Sequence, residues 1–161
     1  MRLTTTAALL LVCAGAAQAG GTVNVSFIEP EHFTDAGERS YYYSPTTLKV
    51  IEQYLHDLGQ RYLADGQVLK IDVTNIDLAG WPQPAAGRGQ GVRIVRGSAD
   101  FPRISLRYTL EGNGQPTQQG EETLADFDYT NTLRPSTGAY SLRYEKLMLE
   151  AWFKARFVEA H

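Results

Sequence analysis

Residues 45–78 constrain the fold most, because a well-marked helix is followed there by a well-marked strand. Ser44-Pro45 is typical of a helix start, with a capping hydroxyl before a proline at the first helical position. Apolar residues then recur at spacings of three and four, and the resulting stripe contains Leu48, Ile51, Leu55, Leu58 and Tyr62. Gly66 can adopt the left-handed backbone conformation that ends a helix. Residues 68–78 alternate apolar and polar side chains, so the helix is expected to pack one face on a sheet.

Other stretches also have the period of a β-strand. Residues 23–27 and 103–110 alternate apolar and polar side chains, and residues 92–96 form a shorter run of the same kind. Gly112-Asn113-Gly114 predicts a tight hairpin, so residues 116–124 are expected to return antiparallel. Within the strand at 68–78, the apolar parity changes at Thr74-Asn75, which predicts a bulge.

Residues 79–91 are rich in proline and glycine and are expected to form an exposed loop. A second helix is expected over residues 142–157, and its apolar stripe contains Tyr144, Leu147, Met148, Ala151, Trp152 and Ala155. Two striped helices and several strands need one common core. We therefore predict an α+β fold, with an antiparallel-rich sheet of four to five strands and two helices packed on one face. Residues 20–161 are expected to form a single globular domain.

The first 19 residues have the pattern of a cleavable signal peptide. Arg2 provides a positive start, and residues 7–17 form a short run of apolar and small side chains. Ala17-Gln18-Ala19 matches the small-x-small pattern of signal peptidase sites, so cleavage is expected between Ala19 and Gly20. The run is shorter than the roughly 20 residues of a membrane span. We expect a periplasmic or secreted protein with no transmembrane anchor after cleavage.

Composition excludes some classes of function. Cys13 is the single cysteine and lies in the expected leader, so residues 20–161 have no disulfide and no thiolate site. The net charge of −3 lacks the positive excess that is typical of nucleic-acid-binding proteins. His32, His56 and His161 have no metal-ligand spacing, and no Gly-x-Ser-x-Gly elbow occurs. We therefore assign no catalytic residue, no cofactor and no metal.

Four segments carry a family resemblance: VSFIEPEHFTD (25–35), GQVLKIDVTNIDLAG (66–80), DFPRI (100–104) and YEKLMLEAWF (144–153). Together they resemble a proteobacterial family of small exported proteins that is known only as a domain of unknown function. The resemblance spans nearly all of residues 20–161. It implies export from a Gram-negative cell and brings no activity, cofactor or catalytic residue with it.

Aromatic and arginine residues form the candidate binding patch. Tyr41, Tyr42 and Tyr43 cannot all be buried, and Trp81 lies in the neighbouring expected loop. Two predicted strands carry arginines, namely Arg93, Arg96, Arg103 and Arg107, of which Arg103 and Arg107 belong to the candidate patch. If those strands pair, the guanidinium groups form a stripe able to hold carboxylates or phosphates. The alternative is cross-strand pairing of these arginines with Glu121 or Glu122.

Asp77, Asp126 and Asp128 are the residues of an alternative, catalytic hypothesis. Clustered carboxylates can contribute to a hard-cation site, although neither stretch has the regular loop of a calcium site. The competing interpretation is that Asp77 caps a turn and that the Asp126–Asp128 pair frames a strand end.

The resulting functional expectation is an exported periplasmic binding or interaction protein, with an unknown ligand and no catalytic activity. An envelope protein is the expected class of partner, and no nucleic acid is expected. The first alternative is a metal-assisted envelope hydrolase that uses the aspartate cluster. The second is a structural component of an envelope complex.

Overall fold

The computed structural model describes residues 20–36, 45–83, 92–95, 99–131 and 142–159. In chain order the elements are β1 (Thr22–Phe27), a short 3-10 helix (Pro30–His32), α1 (Pro45–Tyr62), β2 (Val68–Asp77), β3 (Trp81–Gln83), β4 (Val92–Ile94), β5 (Arg103–Glu111), β6 (Gln118–Ala125) and α2 (Arg143–Phe157). Strands, helices and hairpin fall close to the positions that the sequence patterns predict. The described residues contain no helix long and apolar enough to cross a membrane.

The main sheet has four strands in the order β1-β2-β5-β6. β1 runs parallel to β2, which is possible because α1 supplies the crossover connection that parallel neighbours need. β2, β5 and β6 are antiparallel neighbours. The register between β2 and β5 shifts between Val73 and Asn75, so the predicted bulge is confirmed. The α+β prediction, with an antiparallel-rich sheet and two helices, is confirmed.

One face of this sheet carries the core. Strand residues of the predicted apolar parity are buried there, among them Val23, Leu69, Ile71, Ile104 and Leu106. α1 covers them with Ile51, Leu55 and Leu58, as its stripe predicts. A side chain at Gly59 would collide with Val23, so the absence of a Cβ there lets α1 approach β1 closely. The opposite face of the sheet presents polar side chains.

α2 buries a different face from the one that the predicted stripe defines, so that prediction is partly wrong. Met148 and Trp152 are buried as expected, but Ala151 and Ala155 are exposed and Tyr144 and Leu147 are half-buried. The core face of α2 instead presents Leu149, Phe153 and Phe157. The physical reason is the apolar surface area that each side of α2 can bury. The large rings pack edge to face on one another and on Tyr108, and they bury more apolar surface than two alanines can.

Within the expected loop at residues 79–91, residues 81–83 form a strand, so that prediction is wrong for β3, while residues 84–91 lie outside the described residues. Gly80 has a φ of 80°, and this left-handed turn directs the chain out of the main sheet. A side chain at Gly80 would meet the backbone of Ile94, because β3 pairs antiparallel with β4. β3 and β4 thus form a separate two-stranded ribbon.

Candidate functional site

Arg93 is the centre of a half-buried polar network at the end of β2. Its Nε donates to the carbonyl oxygen of Ala79 at 2.8 Å. Its Nη2 lies 2.8 Å from the carbonyl oxygen of Leu78 and 2.7 Å from that of Gly80. The same nitrogen is 2.7 Å from Oδ2 of Asp35. Arg93 therefore fixes the connection between β2 and β3 to the loop that follows β1.

This placement contradicts the predicted four-arginine stripe. β4 pairs with β3 and not with β5, so Arg93 lies away from the sheet face that carries Arg103 and Arg107. Arg96 lies outside the described residues. The sequence could not distinguish these pairings, because residues 92–96 read equally well as a neighbour of either strand.

Glu145 is a buried carboxylate in the first turn of α2, only 3% exposed. Its Oε1 accepts the backbone N–H of Ala79 at 2.7 Å, so it holds the same connection that Arg93 holds. Burial raises the pKa of Glu145, while the Ala79 N–H and the charge of Arg93 act in the opposite direction. Glu145 was not among the residues predicted from the sequence. The available signal was its spacing, four positions before buried Leu149 and eight before buried Phe153.

We expect the Glu145→Gln substitution to remove a pH dependence of stability. A carboxyl group whose pKa is raised on folding binds its proton more tightly in the folded state. Its contribution to stability is therefore lost as the pH rises from about 4.5 through the folded pKa. Glutamine keeps an acceptor for the Ala79 N–H and has no proton to lose. As the pH rises across that interval, the free energy of unfolding of the variant should increase relative to that of the parent by up to about 1.4 kcal/mol per pH unit.

Urea titrations between pH 4 and about pH 8 measure this difference. The matched control is Glu159→Gln, because Glu159 is an exposed carboxylate beyond the end of α2. Its stability should follow the parent at every pH. Parallel curves for Glu145→Gln and the parent would contradict the assignment.

The uncovered face of the sheet carries charges in cross-strand rows. Arg107 on β5 lies opposite Asp72 on one side and Glu121 on the other. Arg103, four residues earlier on the same face of β5, donates from Nε to Oδ2 of Asp77 at 3.0 Å. Arg107 thus lies opposite Glu121, as the alternative interpretation of the sequence predicts. The two side chains form no ion pair within 4.0 Å among the described residues.

Glu122 has the opposite parity and faces the helices. There Nη2 of Arg156 lies 2.8 Å from Oε1 of Glu122, so the alternative pairing of Glu122 with an arginine on β5 is wrong. Beside this pair, the ring of Tyr108 lies directly against Gly120 of β6, where a Cβ would collide with it. Burial raises the pKa of Tyr108, which keeps its hydroxyl protonated at the edge of the aromatic core.

A half-buried and an exposed aromatic ring lie where β5 begins and β6 ends. The guanidinium of Arg103 lies 4.8 Å from the ring centroid of Phe101. The centroid of Phe101 is in turn 4.3 Å from that of Phe127, and Phe127 is 66% exposed. We call Phe101, Arg103 and Phe127 the aromatic end. Its phenylalanines were missed, although an apolar residue between Asp126 and Asp128 is itself a signal of an exposed ring.

The remaining predicted binding residues have varied outcomes. Trp81 is 59% exposed on β3 and therefore presents its ring to solvent, as a recognition residue requires. Tyr41, Tyr42 and Tyr43 fall outside the described ranges, as does Ala19. Gly20 is described, and it packs so closely on α1 that a Cβ would collide with the backbone of Gln60.

A groove of about 700 Å³ runs between β6 and the outward side of α2. Its α2 wall includes Leu147, Ala151 and Ala155, the residues that the predicted stripe assigned to the core. Its β6 wall includes Leu124, Ala125 and Asp126, so the groove ends next to Phe127. Asp126 directly precedes Phe127 in the chain, so the groove and the aromatic end lie near one another at the end of β6.

The three aspartates of the catalytic hypothesis have local roles. Asp77 binds Arg103, as described above. Oδ1 of Asp126 accepts the backbone N–H of Asp128 at 3.0 Å, which makes the expected turn at the end of β6. Oδ1 of Asp128 accepts a hydrogen bond from the side-chain amide Nδ2 of Asn131 at 2.6 Å. Across the described ranges, no group of three or more His, Cys, Asp or Glu side chains could hold a metal ion.

Comparison with known protein families matches residues 21–155 to the family described as "Protein of unknown function (DUF3016)". The chain belongs to the DUF3016 family. The match includes Arg93, Glu145, the aromatic end and the whole groove wall on α2, so these features lie within the DUF3016 domain. No curated protein matches the chain.

Proposed function

We propose that this DUF3016 protein is exported and acts in the periplasm as a binding or interaction protein, without catalysis. Export is supported by the leader pattern of residues 1–19. The backbone N–H of Gly21 bonds to the carbonyl of Leu63 at 3.1 Å, just after the expected cleavage point. Removal of the leader after Ala19 would leave that bond in place.

The observation that carries the binding function is the exposure of Phe127. A phenylalanine ring in water costs free energy that burial would recover, and here the ring lies against Phe101, one residue from Asp126 at the end of the groove. Contiguous apolar surface rimmed by polar residues is typical of protein interaction sites. Aromatic side chains in such positions contribute a large share of binding energy.

The hydrolase alternative receives no support from the residues described. Its three aspartates are engaged by Arg103, by a backbone turn and by Asn131. A structural role in an envelope complex uses the same surface as a binding role. The two differ in the lifetime and stoichiometry of the complex, which co-purification without crosslinking distinguishes.

Site-specific photocrosslinking in intact cells tests the binding function. A photoreactive phenylalanine derivative at position 127 should give one discrete adduct, and the same derivative at Gln53 on the exposed side of α1 should give none. The adduct should weaken strongly in a Phe101→Ala background that keeps the parent circular dichroism spectrum. Equal crosslinking at both positions, or none at position 127, would contradict the proposal. Co-purification of the partner in a fixed ratio without crosslinking would favour the structural role.

Export has a separate test. Intact protein recovered from the periplasmic fraction should have the mass of a chain that begins at Gly20. Recovery of the whole chain from the cytoplasm, with Met1 still present, would contradict export and would leave the binding proposal unaffected.

A further inference from the structure

β6 is the outermost strand of the sheet, and one side of its backbone has no partner among the described residues. The backbone N–H of Asp126 bonds to the carbonyl of Pro102 at 3.4 Å, which places residue 126 in a row whose N–H groups point to β5. Directions alternate along a strand, and the register with β5 is regular from Gln118 to Ala125. The N–H groups of Glu121, Thr123 and Ala125 therefore point away from the sheet.

The groove lies beside this free edge, on the helix side. Leu147, Ala151 and Ala155 form its wall on α2, so a strand added to β6 would pass beneath them. A residue of that strand opposite Leu124 would extend the cross-strand apolar row of Ile76, Ile104 and Leu124. An unpaired edge with an apolar cover is the arrangement that strand addition uses.

The uncovered face specifies the charge of such a strand. Asp72, Arg107 and Glu121 form a cross-strand row of alternating sign that ends on Glu121 at the edge. The next position in the row would lie directly opposite Glu121, where a cation is favoured and an anion is repelled. Asp126, at the end of the groove, also has no ion pair among the described residues, and it adds negative charge to the same edge.

We propose that β6 accepts an extended segment of another protein as a fifth strand of the sheet. The segment carries a basic residue opposite Glu121 and an apolar residue opposite Leu124. These positions are three apart along the segment, and their side chains point to opposite faces. This inference rests on the proposed binding function and names the chemistry of the partner.

A second copy of this chain fits the edge less well. β6 consists of Gln118, Gln119, Gly120, Glu121, Glu122, Thr123, Leu124 and Ala125, with no lysine or arginine. Pairing of β6 with its own copy therefore cannot place a cation opposite Glu121. Near the middle of the strand it would bring glutamates together, which is unfavourable.

The test is residue-resolved amide hydrogen exchange by NMR with a synthetic peptide of about ten residues. The peptide alternates valine and threonine, with one lysine placed three positions from a leucine. At saturation, the amides of Glu121, Thr123 and Ala125 should exchange at least about tenfold more slowly, because each gains a carbonyl partner. Replacing the lysine of the peptide by glutamate should weaken binding by about tenfold.

A matched pair of variants tests the edge itself. Thr123→Pro removes an outward N–H, and an edge strand tolerates proline where that group faces solvent. Thr123→Val loses the same hydroxyl contact with Ser105 and keeps the N–H. We expect the proline variant to lose at least about tenfold in peptide affinity and the valine variant to stay within about twofold of the parent.

Several outcomes would overturn the inference. One is that saturation with the peptide leaves the exchange rates of the three outward amides unchanged. Another is equal binding by the proline and valine variants. A third is protection of those amides without peptide that grows with protein concentration, which would assign the edge to a second copy. If photocrosslinking at position 127 persists while these tests fail, the binding function stands and the fifth-strand assignment alone is wrong.

Discussion

The Arg93→Met substitution should lower the free energy of unfolding by about 3 kcal/mol, or the melting temperature by roughly 10 °C. Methionine fills a similar volume but offers no donor, so the carbonyl groups of Leu78, Ala79 and Gly80 lose their shared partner. Asp35 keeps the backbone N–H of Leu78 and loses its counter-charge. Because 22% of the Arg93 side chain remains exposed, the expected loss is at the low end for a buried pair. Urea titration at neutral pH measures it.

Arg103→Met is the matched control. Arg103 also pairs with one aspartate, but its side chain is 51% exposed and it binds no backbone carbonyl in the described residues. Water replaces an exposed ion pair at little cost, so the loss should stay below about 1 kcal/mol. Similar losses in the two variants would show that Arg93 does not hold the connection between β2 and β3.

The Phe153→Ala substitution should destabilise the fold by about 4 kcal/mol. Phe153 is fully buried, and its ring packs edge to face on Phe157 and Trp152 at centroid distances of 5.0 and 6.0 Å. Truncation removes apolar contacts from α2 and leaves a cavity between that helix and the rest of the core. Thermal and urea unfolding, followed by circular dichroism, give the measurement.

Leu147→Ala is the comparison that fixes the rotation of α2. Leu147 is half-buried and lines the open groove, so its truncation should cost less than about 1 kcal/mol. The predicted stripe assigned Leu147 to the core and omitted Phe153. A larger loss for Leu147→Ala than for Phe153→Ala would therefore support the rotation that the sequence pattern predicts.

The elements that were predicted well are those in which local pattern and tertiary role agree. In α1 the spacing of Ile51, Leu55 and Leu58 leaves a single possible buried face. The alternation along β5 likewise separates the core residues from Arg103 and Arg107, so the composition of the uncovered face follows from parity.

α2 and the Arg93 network were predicted less well, because each depends on contacts between distant segments. Both sides of α2 contain apolar residues, and only packing on Tyr108 selects the aromatic side. Burial of Glu145 depends on the N–H of Ala79, which no local pattern anticipates. The partner of β4 is decided by the turn at Gly80, and one glycine in a glycine-rich segment carries no such information.

The parallel pairing of β1 with β2 also bears on the order in which the protein assembles. Leu110 pairs with Gln118 across a short turn, whereas Thr22 reaches Val68 only after the whole of α1. Closing the longer loop costs more chain entropy, so the hairpin of β5 and β6 should form early and β1 should join the sheet late. If the chain is exported as proposed, its first strand would then be the last to join the sheet. Until then, the inner edge of β2 would stay open, and native-state hydrogen exchange is the measurement in which such a late-closing strand appears.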